Sequence, residues 1–297
     1  MSQDSSSVVS APSVSTASDY LDCVQVVMVN TTLPANIGSA ARAMHTMGLS
    51  RLTVVDPKHP IDDSSVSHAA GGSDLLSSAV IAPTLESAIA DCQLVFAASS
   101  RSRHLPRPVV TPTQAAKIML EFIDSQTALN SKDTLSEHQT SDTISPPNIA
   151  ILFGREDRGL TNEELAYADY HIQIDANPAY PVLNVASAVQ VIASFIFAYV
   201  NTHSQTIDNS MNDNDSAVAQ TTLDVHLRQQ WDEPAITQQQ LQQLTQRTTD
   251  LMVQRGLADS EHLKSLPSRL SRLGSRLQLD QKEYQLLSAL IAKLSKD

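Results

Sequence analysis

The chain has 297 residues, of which 41% are hydrophobic and 18% are charged, and its formal net charge is −12. This length allows one large core and a smaller second unit, because domains usually hold about 100 to 200 residues. The negative charge excludes a polyanion-binding surface over the whole molecule, so any nucleic-acid site has to be a local basic patch. The two cysteines, Cys23 and Cys92, lack the spacing of metal ligands, and we therefore predict neither a metal site nor a disulfide framework.

The predicted elements begin after a polar N-terminal segment. Residues 1–19 contain no basic stretch followed by an apolar one, which predicts a disordered tail rather than a targeting signal, and hence a cytoplasmic protein. Apolar runs typical of buried strands then alternate with helical segments; they lie at residues 24–29, 52–55, 79–81, 94–97, 149–153 and 171–174. This alternation predicts an α/β domain over residues 20–201, with a mostly parallel sheet covered by helices on both faces.

Two polar stretches interrupt the chain. Residues 124–147 predict a surface insertion within the domain, and residues 202–222 predict a linker, because neither stretch has enough apolar side chains to form a core. The apolar run 182–200 has the length of a membrane span, but Asn184, Ser187 and Gln190 interrupt it, so we predict a buried helix and no membrane partner. Apolar residues then recur at helical spacing over 238–256 and 281–294, which predicts a small all-helical domain over residues 223–297.

The first segment with chemical content is 26–57, where a strand leads through a loop into a helix and a second strand. Asn36 is a typical N-cap residue, Gly38 permits close approach of another backbone, and Arg42 follows Gly38 by one helical turn. An arginine near the start of a helix can bind a phosphate through two parallel hydrogen bonds. The alternative is a packed helix with one solvated arginine, and this segment alone favours neither interpretation.

Two later segments also end a predicted strand in a polar loop. In residues 149–160, IAILFGREDRGL, the strand breaks at Gly154, where a ligand can approach the main chain. Arg155 and Glu156 beside it are alternatively a surface ion pair. In residues 174–189, IDANPAYPVLNVASAV, a proline-rich loop ends at Leu183 and Asn184 before a helix of small residues. By itself this last segment is only a loop and a buried helix.

In order and spacing, the three segments together resemble the motifs of the SpoU branch of the SPOUT methyltransferases. The resemblance covers residues 23–200 and implies S-adenosylmethionine as methyl donor, a homodimer, and a deep trefoil knot in the C-terminal part of the domain. General rules against knots would exclude such a topology without the resemblance. Within the branch, residues 97–108 and 171–192 and the helical extension resemble the bacterial tRNA ribose 2′-O-methyltransferases that act on cytidine or uridine at position 32 of the anticodon loop.

The resemblance also implies roles for individual residues. Arg42 is the catalytic candidate, since its guanidinium would orient the ribose hydroxyl and a nearby phosphate. The substrate-binding candidates are Asn36, Arg101, Glu156, Tyr180 and Asn184. The methyl donor would contact Ala98, Ser99, Ser100, Gly154, Ile174, Pro181, Val182 and Leu183. The family often has Ser-Ser or Ser-Leu before Leu-Asn, whereas Pro181 and Val182 stand here, which removes a side-chain hydroxyl and a main-chain N–H.

Two basic clusters would provide local positive surface for tRNA despite the acidic total; they are Arg101, Arg103, His104 and Arg107, and Lys264, Arg269, Arg272 and Arg276. Their alternative interpretation is a pair of solvated charged faces. For the whole protein, the alternatives are a non-catalytic knotted RNA-binding protein and a SpoU-type methyltransferase with another tRNA or rRNA target. A dinucleotide-dependent oxidoreductase is disfavoured, because no G-x-G-x-x-G sequence follows any predicted strand.

Overall fold

A computed structural model of the chain describes residues 16–99, 107–133, 146–209, 231–260, 263 and 265–296. Its sheet contains the strands β1 Val24–Val29, β2 Arg51–Val55, β3 Val80–Ala82, β4 Leu94–Ala98, β5 Val109–Val110, β6 Ile149–Phe153 and β7 Tyr170–Ile172. The strand order is β3-β2-β1-β6-β4-β7-β5, and every pairing is parallel. The predicted α/β fold with a mostly parallel sheet is confirmed.

The helices are α1 Ala17–Asp22, α2 Pro34–Thr46, α3 Asp63–Ala69, α4 Ser73–Ser77, α5 Leu85–Ile89, α6 Pro112–Asp133, α7 Asn162–Leu165, α8 Val185–Asn209, α9 Gln238–Gln254, α10 Leu266–Leu277 and α11 Gln281–Leu294. Each predicted strand overlaps an observed one. The two-residue β5 was not predicted, because it lies at the edge of the sheet and Val109 is half exposed, so no buried apolar run marks it.

Helices cover both faces of the sheet, and β1 shows why its run is continuously apolar. All six residues of β1 are buried, with Val26 and Met28 in the larger core cluster and Val27 and Val29 in the smaller one. The larger cluster lies under α2, α6 and α8, and the smaller one lies under α5 and α7. Since successive side chains of a strand point to opposite faces, a strand between two helical layers needs apolar residues at every position.

Helices extend into three stretches that were predicted as irregular, and these predictions are corrected. Thr16 caps α1, so residues 17–19 of the predicted tail are helical. Helix α6 continues to residue 133 within the predicted insertion, because its inner face still buries Gln126 and Leu129. Helix α8 continues to residue 209 within the predicted linker. The sequence did not predict these helical residues because the stretches are mostly polar, and a helix needs apolar residues only on its inner face. Residues 134–145 and 210–230 lie outside the described part.

Helix α8 contains a 19-residue stretch, Val185–His203, that is long and apolar enough to cross a membrane by length and composition alone. In this fold it packs against α2 and α6. Val189, Ile192, Ile196 and Val200 are buried in the larger core cluster, at the three- and four-residue spacing of one helical face. These contacts are those of a core helix.

The C-terminal region is helical, as predicted, and it packs on the sheet domain. Helices α9, α10 and α11 share a small core of Ile236, Leu241, Leu244 and Leu279. At the junction, the main-chain N of Gln238 donates to the carbonyl of Cys92 at 2.8 Å, and Trp231 contacts Phe122 edge-to-face with ring centroids 6.2 Å apart. The two units are therefore joined by a packed interface.

The last two strands in sequence are inserted between earlier strands, β6 between β1 and β4, and β7 between β4 and β5. The two strands of the C-terminal part of the domain thus lie between strands that precede them in the chain. The trefoil knot itself stays a prediction.

Candidate functional site

A cleft opens at the carboxyl ends of β4, β6 and β7, beside the start of α8. Ligands of parallel sheets bind at this edge, because the loops that follow neighbouring strands meet there. Eight residues were predicted to contact the methyl donor, and seven of them line the cleft: Ala98, Ser99, Gly154, Ile174, Pro181, Val182 and Leu183. The eighth, Ser100, lies outside the described residues. Three segments far apart in sequence thus form one site.

Leu160 and Ile172 also line the cleft and were missed by sequence analysis. Both are buried apolar residues, so in the sequence they cannot be distinguished from ordinary core residues. The sequence could have indicated them only through their position, because Leu160 ends the second motif segment and Ile172 lies just before the third. Together with Ile174 and Leu183, they give the cleft an apolar wall next to main-chain polar groups.

The loop after β6 is held in a tight conformation by its two glycines. A Cβ atom on Gly154 would lie 2.2 Å from the main-chain nitrogen of Leu160, so only glycine fits there. Gly159 has φ +70°, a conformation that glycine adopts without strain, and its N–H donates to the carbonyl of Arg155 at 2.9 Å. The close approach at Gly154 is therefore between two parts of the same loop, and its predicted role in admitting a ligand to the main chain stays a prediction.

Arg155 does not pair with Glu156, and that alternative is wrong. Its guanidinium forms a largely buried ion pair with Glu164, with Nη2 2.8 Å from Oε1. The same nitrogen donates to the side chain of Asn30 after β1. Glu164 also accepts from the main-chain nitrogen of Thr161 as part of the capping box at the start of α7. Arg155 therefore fixes the loop to its surroundings.

Glu156 binds the start of α2. Its Oε2 accepts from the main-chain nitrogen of Thr32 at 3.0 Å, and its Oε1 accepts from that of Leu33 at 3.1 Å. The Nδ2 of Asn36 donates to Oε1 at 2.8 Å. Burial alone would raise the pKa of the Glu156 carboxyl, but these three hydrogen bonds stabilise the charged form and lower its pKa below the ordinary value.

Asn184 connects the third motif to the same group. Its Nδ2 donates to Oδ1 of Asn36 at 3.1 Å, and its Oδ1 accepts from the main-chain nitrogen of Ala186 at 2.8 Å, which caps α8. We call Asn36, Glu156 and Asn184 the polar triad. The triad joins the beginning of α2, the loop after β6 and the beginning of α8, which are the three segments singled out in the sequence.

The prediction that Asn36 caps α2 is wrong. Helix α2 begins at Pro34, its N-cap residue is Leu33, and no side chain caps it. Pro34 is well suited to the first helical position, because that residue needs no N–H donor. Asn36 lies inside the first turn, buried, with its carboxamide directed to the triad. The helix start is held by Glu156 instead, whose carboxylate is also favourable near the positive end of a helix.

Arg42 lies one and a half turns further along α2 and is exposed. No acidic partner of its side chain is found within the described part of the chain. Close packing on the other side of α2 is made possible by glycines: a Cβ on Gly38 would lie 1.9 Å from the carbonyl oxygen of Ser65 in α3, and one on Gly72 would lie 2.8 Å from that of Ala41. The predicted close approach at Gly38 is thus made by α3.

Only some of the remaining candidates lie in the described part of the chain. Tyr180 is 76% exposed, in a turn where its N–H donates to the carbonyl of Asn177 at 2.9 Å. Arg101 falls among residues that are not described, as do Arg103, His104 and Lys264. Arg107 is not a solvated residue, because its Nη2 donates to the carbonyl of Ala166 at 2.7 Å. Within the described residues, no group of His, Cys, Asp and Glu side chains could hold a metal ion.

Comparison with known proteins finds similarity over most of the chain. Residues 23–194 match the profile of the SpoU rRNA Methylase family. The chain is 31% identical to the tRNA (cytidine/uridine/adenosine-2'-O-)-methyltransferase TrmJ of Pseudomonas aeruginosa (strain UCBPP-PA14) over 277 residues, or 93% of this chain and 95% of that protein. It is 40% identical to the tRNA (cytidine/uridine-2'-O-)-methyltransferase TrmJ of Citrobacter koseri over 173 residues, which cover 58% of this chain and 63% of that protein.

Solved structures of related proteins also superpose on most of the chain. The crystal structure of TrmJ from Z. mobilis ZM4 superposes with a TM-score of 0.67 at 25% identity, covering 91% of this chain and 98% of that one. A probable methylase family protein from Haemophilus influenzae Rd KW20 superposes with a TM-score of 0.51 at 28% identity, over 93% of this chain and 97% of that one. The similarity extends into the C-terminal helices.

Proposed function

The chain belongs to the SpoU methylase family, and from this premise we propose that it transfers a methyl group from S-adenosylmethionine to the 2′-oxygen of a ribose in tRNA. The two relatives described above, which match 93% and 58% of this chain, are both named as tRNA 2′-O-methyltransferases, and this supports the substrate and the reaction. We propose cytidine or uridine at position 32 of the anticodon loop as the target, on the subgroup resemblance of residues 97–108 and 171–192.

The observation that carries the proposal is the polar triad beside the cleft. Asn36 and Asn184 come from opposite ends of the domain sequence. Asn36 donates a hydrogen bond of 2.8 Å to Glu156 and accepts one of 3.1 Å from Asn184. Glu156 also lines the cleft. A site for two substrates needs this kind of rigid connection, because misplacing the reacting atoms by about 1 Å costs a large part of the rate.

The residues of the cleft suit the methyl donor. Ile172, Ile174 and Leu183 provide apolar surface for a flat ring, and the ends of β4 and β6 provide main-chain donors and acceptors for its edges. Pro181 in the loop before α8 has no N–H, so hydrogen bonding from this stretch rests on its neighbours. When bound, S-adenosylmethionine would supply the methyl group of its sulfonium, with the sulfur leaving as a neutral thioether.

The protein's own contribution is to orient the ribose hydroxyl and ease the loss of its proton, since a protonated alcohol is a poor nucleophile. Arg42 is proposed to hold the hydroxyl and the adjacent phosphate by its planar, permanently charged guanidinium. Its exposure on α2, without an acidic partner in the described residues, leaves it available to RNA. Tyr180, exposed at the rim of the loop before α8, is proposed to stack on the target base.

We further propose a cytoplasmic homodimer formed through the knotted domain, with no membrane partner. Phe195 on α8 is 42% exposed and Leu33 before α2 is 54% exposed, although both adjoin elements of the core. A second subunit would cover such apolar surface. Sedimentation velocity of the wild type and of Phe195→Asp is expected to show a dimer and a shift to monomer. A wild-type monomer with full methyltransferase activity would contradict the dimer.

The function is tested with purified protein, labelled S-adenosylmethionine and an unmodified tRNA transcript. Label is expected in the tRNA, and an otherwise identical tRNA with a 2′-deoxyribose at position 32 is expected to remain unlabelled. A non-catalytic RNA-binding protein would bind both tRNAs and label neither. Labelling of both would assign another nucleotide, and labelling of an rRNA fragment alone would assign another RNA class.

A further inference from the structure

A second cavity lies at the opposite end of the sheet from the cleft. It has a volume of about 700 Å³ and is bounded by the first residues of β4, β5 and β7 on one side and by α9 and α10 on the other. It shares no described residue with the cleft. Small-molecule sites have volumes of about 300 to 1,000 Å³ and are common between structural units.

Most of the wall is apolar. Phe122, Trp231, Ile236 and Leu241 line it, and each of them is buried. Gly274 keeps α10 close to α9, since a Cβ there would lie 2.4 Å from the Cδ1 atom of Leu241. Gln93, Gln114 and Gln278 also line the cavity and add polar surface to its wall. The Oε1 atoms of Gln93 and Gln114 accept from the main-chain nitrogens of Asn148 and Thr111 at 2.7 and 2.8 Å, which fixes the positions of these two amides.

Three arginines line the same cavity: Arg107 from the sheet domain, and Arg272 and Arg276 from α10. Neither Arg272 nor Arg276 forms an ion pair with any residue that the structure describes. The pKa of Arg107 is lowered, chiefly by burial, and the charges of Arg272 and Arg276 add to this effect while Asp169 opposes it. Arg107 from the sheet domain and the two arginines of α10 thus face one cavity.

Asp169 is the one acidic residue among the described residues of this wall. Its Oδ2 already accepts from the main-chain nitrogen of Val95 at 2.9 Å and from Nε2 of Gln238 at 3.3 Å. Burial raises the pKa of this carboxyl, while the hydrogen bond from Val95 and the charge of Arg107 counteract the rise. The single negative charge of Asp169 cannot neutralise the positive charges of three guanidiniums, so the described wall of the cavity has surplus positive charge.

We propose that this cavity binds a free nucleotide, with the base against the apolar and amide side chains and the phosphate at Arg107, Arg272 and Arg276. An anion at the arginines would balance the surplus positive charge of this wall, and guanidiniums bind phosphate through paired, charge-assisted hydrogen bonds. A flat ring suits a wall that contains Phe122 and Trp231, and the glutamine amides can bind its polar edges. An occupied cavity would hold α10 to the sheet domain through Arg107.

The test is calorimetric titration of the full chain with adenosine 5′-monophosphate, in the presence of excess S-adenosylmethionine to keep the probe out of the cleft. One site per chain is expected. Adenosine and inorganic phosphate, each of which fills one half of the cavity, are expected to bind at least about tenfold more weakly. Absence of binding at millimolar probe would overturn the proposal. It would also be overturned if a parallel titration without S-adenosylmethionine showed one site per chain and the titration in its presence showed none.

Two kinds of variant separate charge from shape. The double variant Arg272→Gln, Arg276→Gln is expected to weaken binding of the probe by about tenfold or more, because it removes two charge-assisted contacts. Val109→Trp, at a half-exposed position of the wall, is expected to block the site without changing its charge. Arg269→Gln, exposed on the same helix but outside the cavity wall, is the matched control and is expected to bind as the wild type does.

An equal loss in Arg269→Gln would mean that general positive charge attracts the probe, and the proposal would fail. It would also fail if the double variant bound tRNA much more weakly while wild-type protein bound no mononucleotide, since the arginines would then be RNA contacts. Near-ultraviolet circular dichroism of each variant checks its packing. If the double variant is misfolded, Val109→Trp with intact circular dichroism decides the outcome.

Discussion

The Nδ2 atom of Asn36 lies 2.8 Å from the Oε1 atom of Glu156, and this contact joins the first turn of α2 to the loop after β6. The carboxamide of Asn36 has a second partner, because its Oδ1 accepts from Asn184 at 3.1 Å. Asn36 is thus the central member of the polar triad, and its substitution would disturb two loops at once.

Asn36→Ala is expected to cost about 1 to 3 kcal/mol of unfolding free energy, because it removes the hydrogen bond from the buried amide of Asn36 to the charged carboxylate of Glu156. Methyl transfer is expected to fall strongly. Urea unfolding and a methyl-transfer assay measure the two effects. Asn36→Asp is the matched comparison: it keeps the size but places a carboxylate against Glu156, so it should be at least as damaging. A fully active Asn36→Ala would remove the triad from the mechanism.

The lowered pKa of Glu156 makes stability depend on pH. Its charged form is favoured in the folded state, so its contribution is complete above the ordinary pKa of about 4.3 and is lost as pH falls through the lowered value. Glu156→Gln is expected to be less stable than the wild type at pH 7, since its amide meets main-chain N–H donors. The difference between the two unfolding free energies should shrink on acidification below about pH 5. A constant difference across this range would contradict the assignment.

Arg42→Ala and Arg42→Lys are expected to abolish methyl transfer while the dissociation constant of S-adenosylmethionine changes little. Arg42 lies on α2, outside the lining of the cleft, and a lysine cannot reproduce the planar fork. Neither variant should lose more than about 0.5 kcal/mol of stability, because the side chain is exposed. Arg247→Ala, on the exposed face of α9, serves as control. Wild-type turnover in either Arg42 variant would assign the role elsewhere.

Gly154→Ala is expected to weaken donor binding by at least about tenfold and to lower stability, because the new methyl group would overlap the main chain of Leu160. Calorimetric titration with S-adenosylmethionine measures the effect. Gly71→Ala is a suitable control, since a Cβ there would meet the side chain of His45 at an ordinary 3.8 Å. Equal affinities for the two variants would show that the loop can rearrange.

Trp231→Ala is expected to cost about 3 to 5 kcal/mol, because the indole is buried against Phe122 at the junction of the two units. Its loss should free the C-terminal helices, visible as faster limited proteolysis after residue 231. Leu286→Ala, 69% exposed on α11, should change stability by less than about 0.5 kcal/mol. Unchanged proteolysis in Trp231→Ala would show that other contacts suffice.

Both thiols should resist modification in the folded protein. Burial raises the pKa of Cys23 to about 11 and that of Cys92 to about 12, and thiolates are the reactive species. A thiol reagent at about pH 8 is expected to modify neither cysteine until guanidinium unfolds the chain, after which two groups per chain react. Rapid modification of native protein would indicate local opening around β1 or β4.

Sequence by itself determined the class of fold and the segments of the site. The run 24–29 is apolar at every position because both faces of β1 are covered, and such a local pattern is visible without coordinates. Gly154, Leu183 and Asn184 stood out because glycine, proline and amide residues after a strand mark a loop that leaves main-chain groups open. The family resemblance then gave them an order, and the comparisons agree with it.

Only the tertiary structure decided which side chains meet. The spacing around Asn36 suggests a helix cap, yet its carboxamide turns to Glu156, 120 residues away, because Pro34 begins the helix earlier. Arg155 pairs with Glu164 rather than with its neighbour for a similar reason: the direction of each side chain depends on how the loop folds back at Gly159. The docking of the C-terminal helices through Trp231 was hidden as well, because a polar composition nearby resembles a free linker. Periodicity is a local property, whereas these partners are set by contacts across the whole chain.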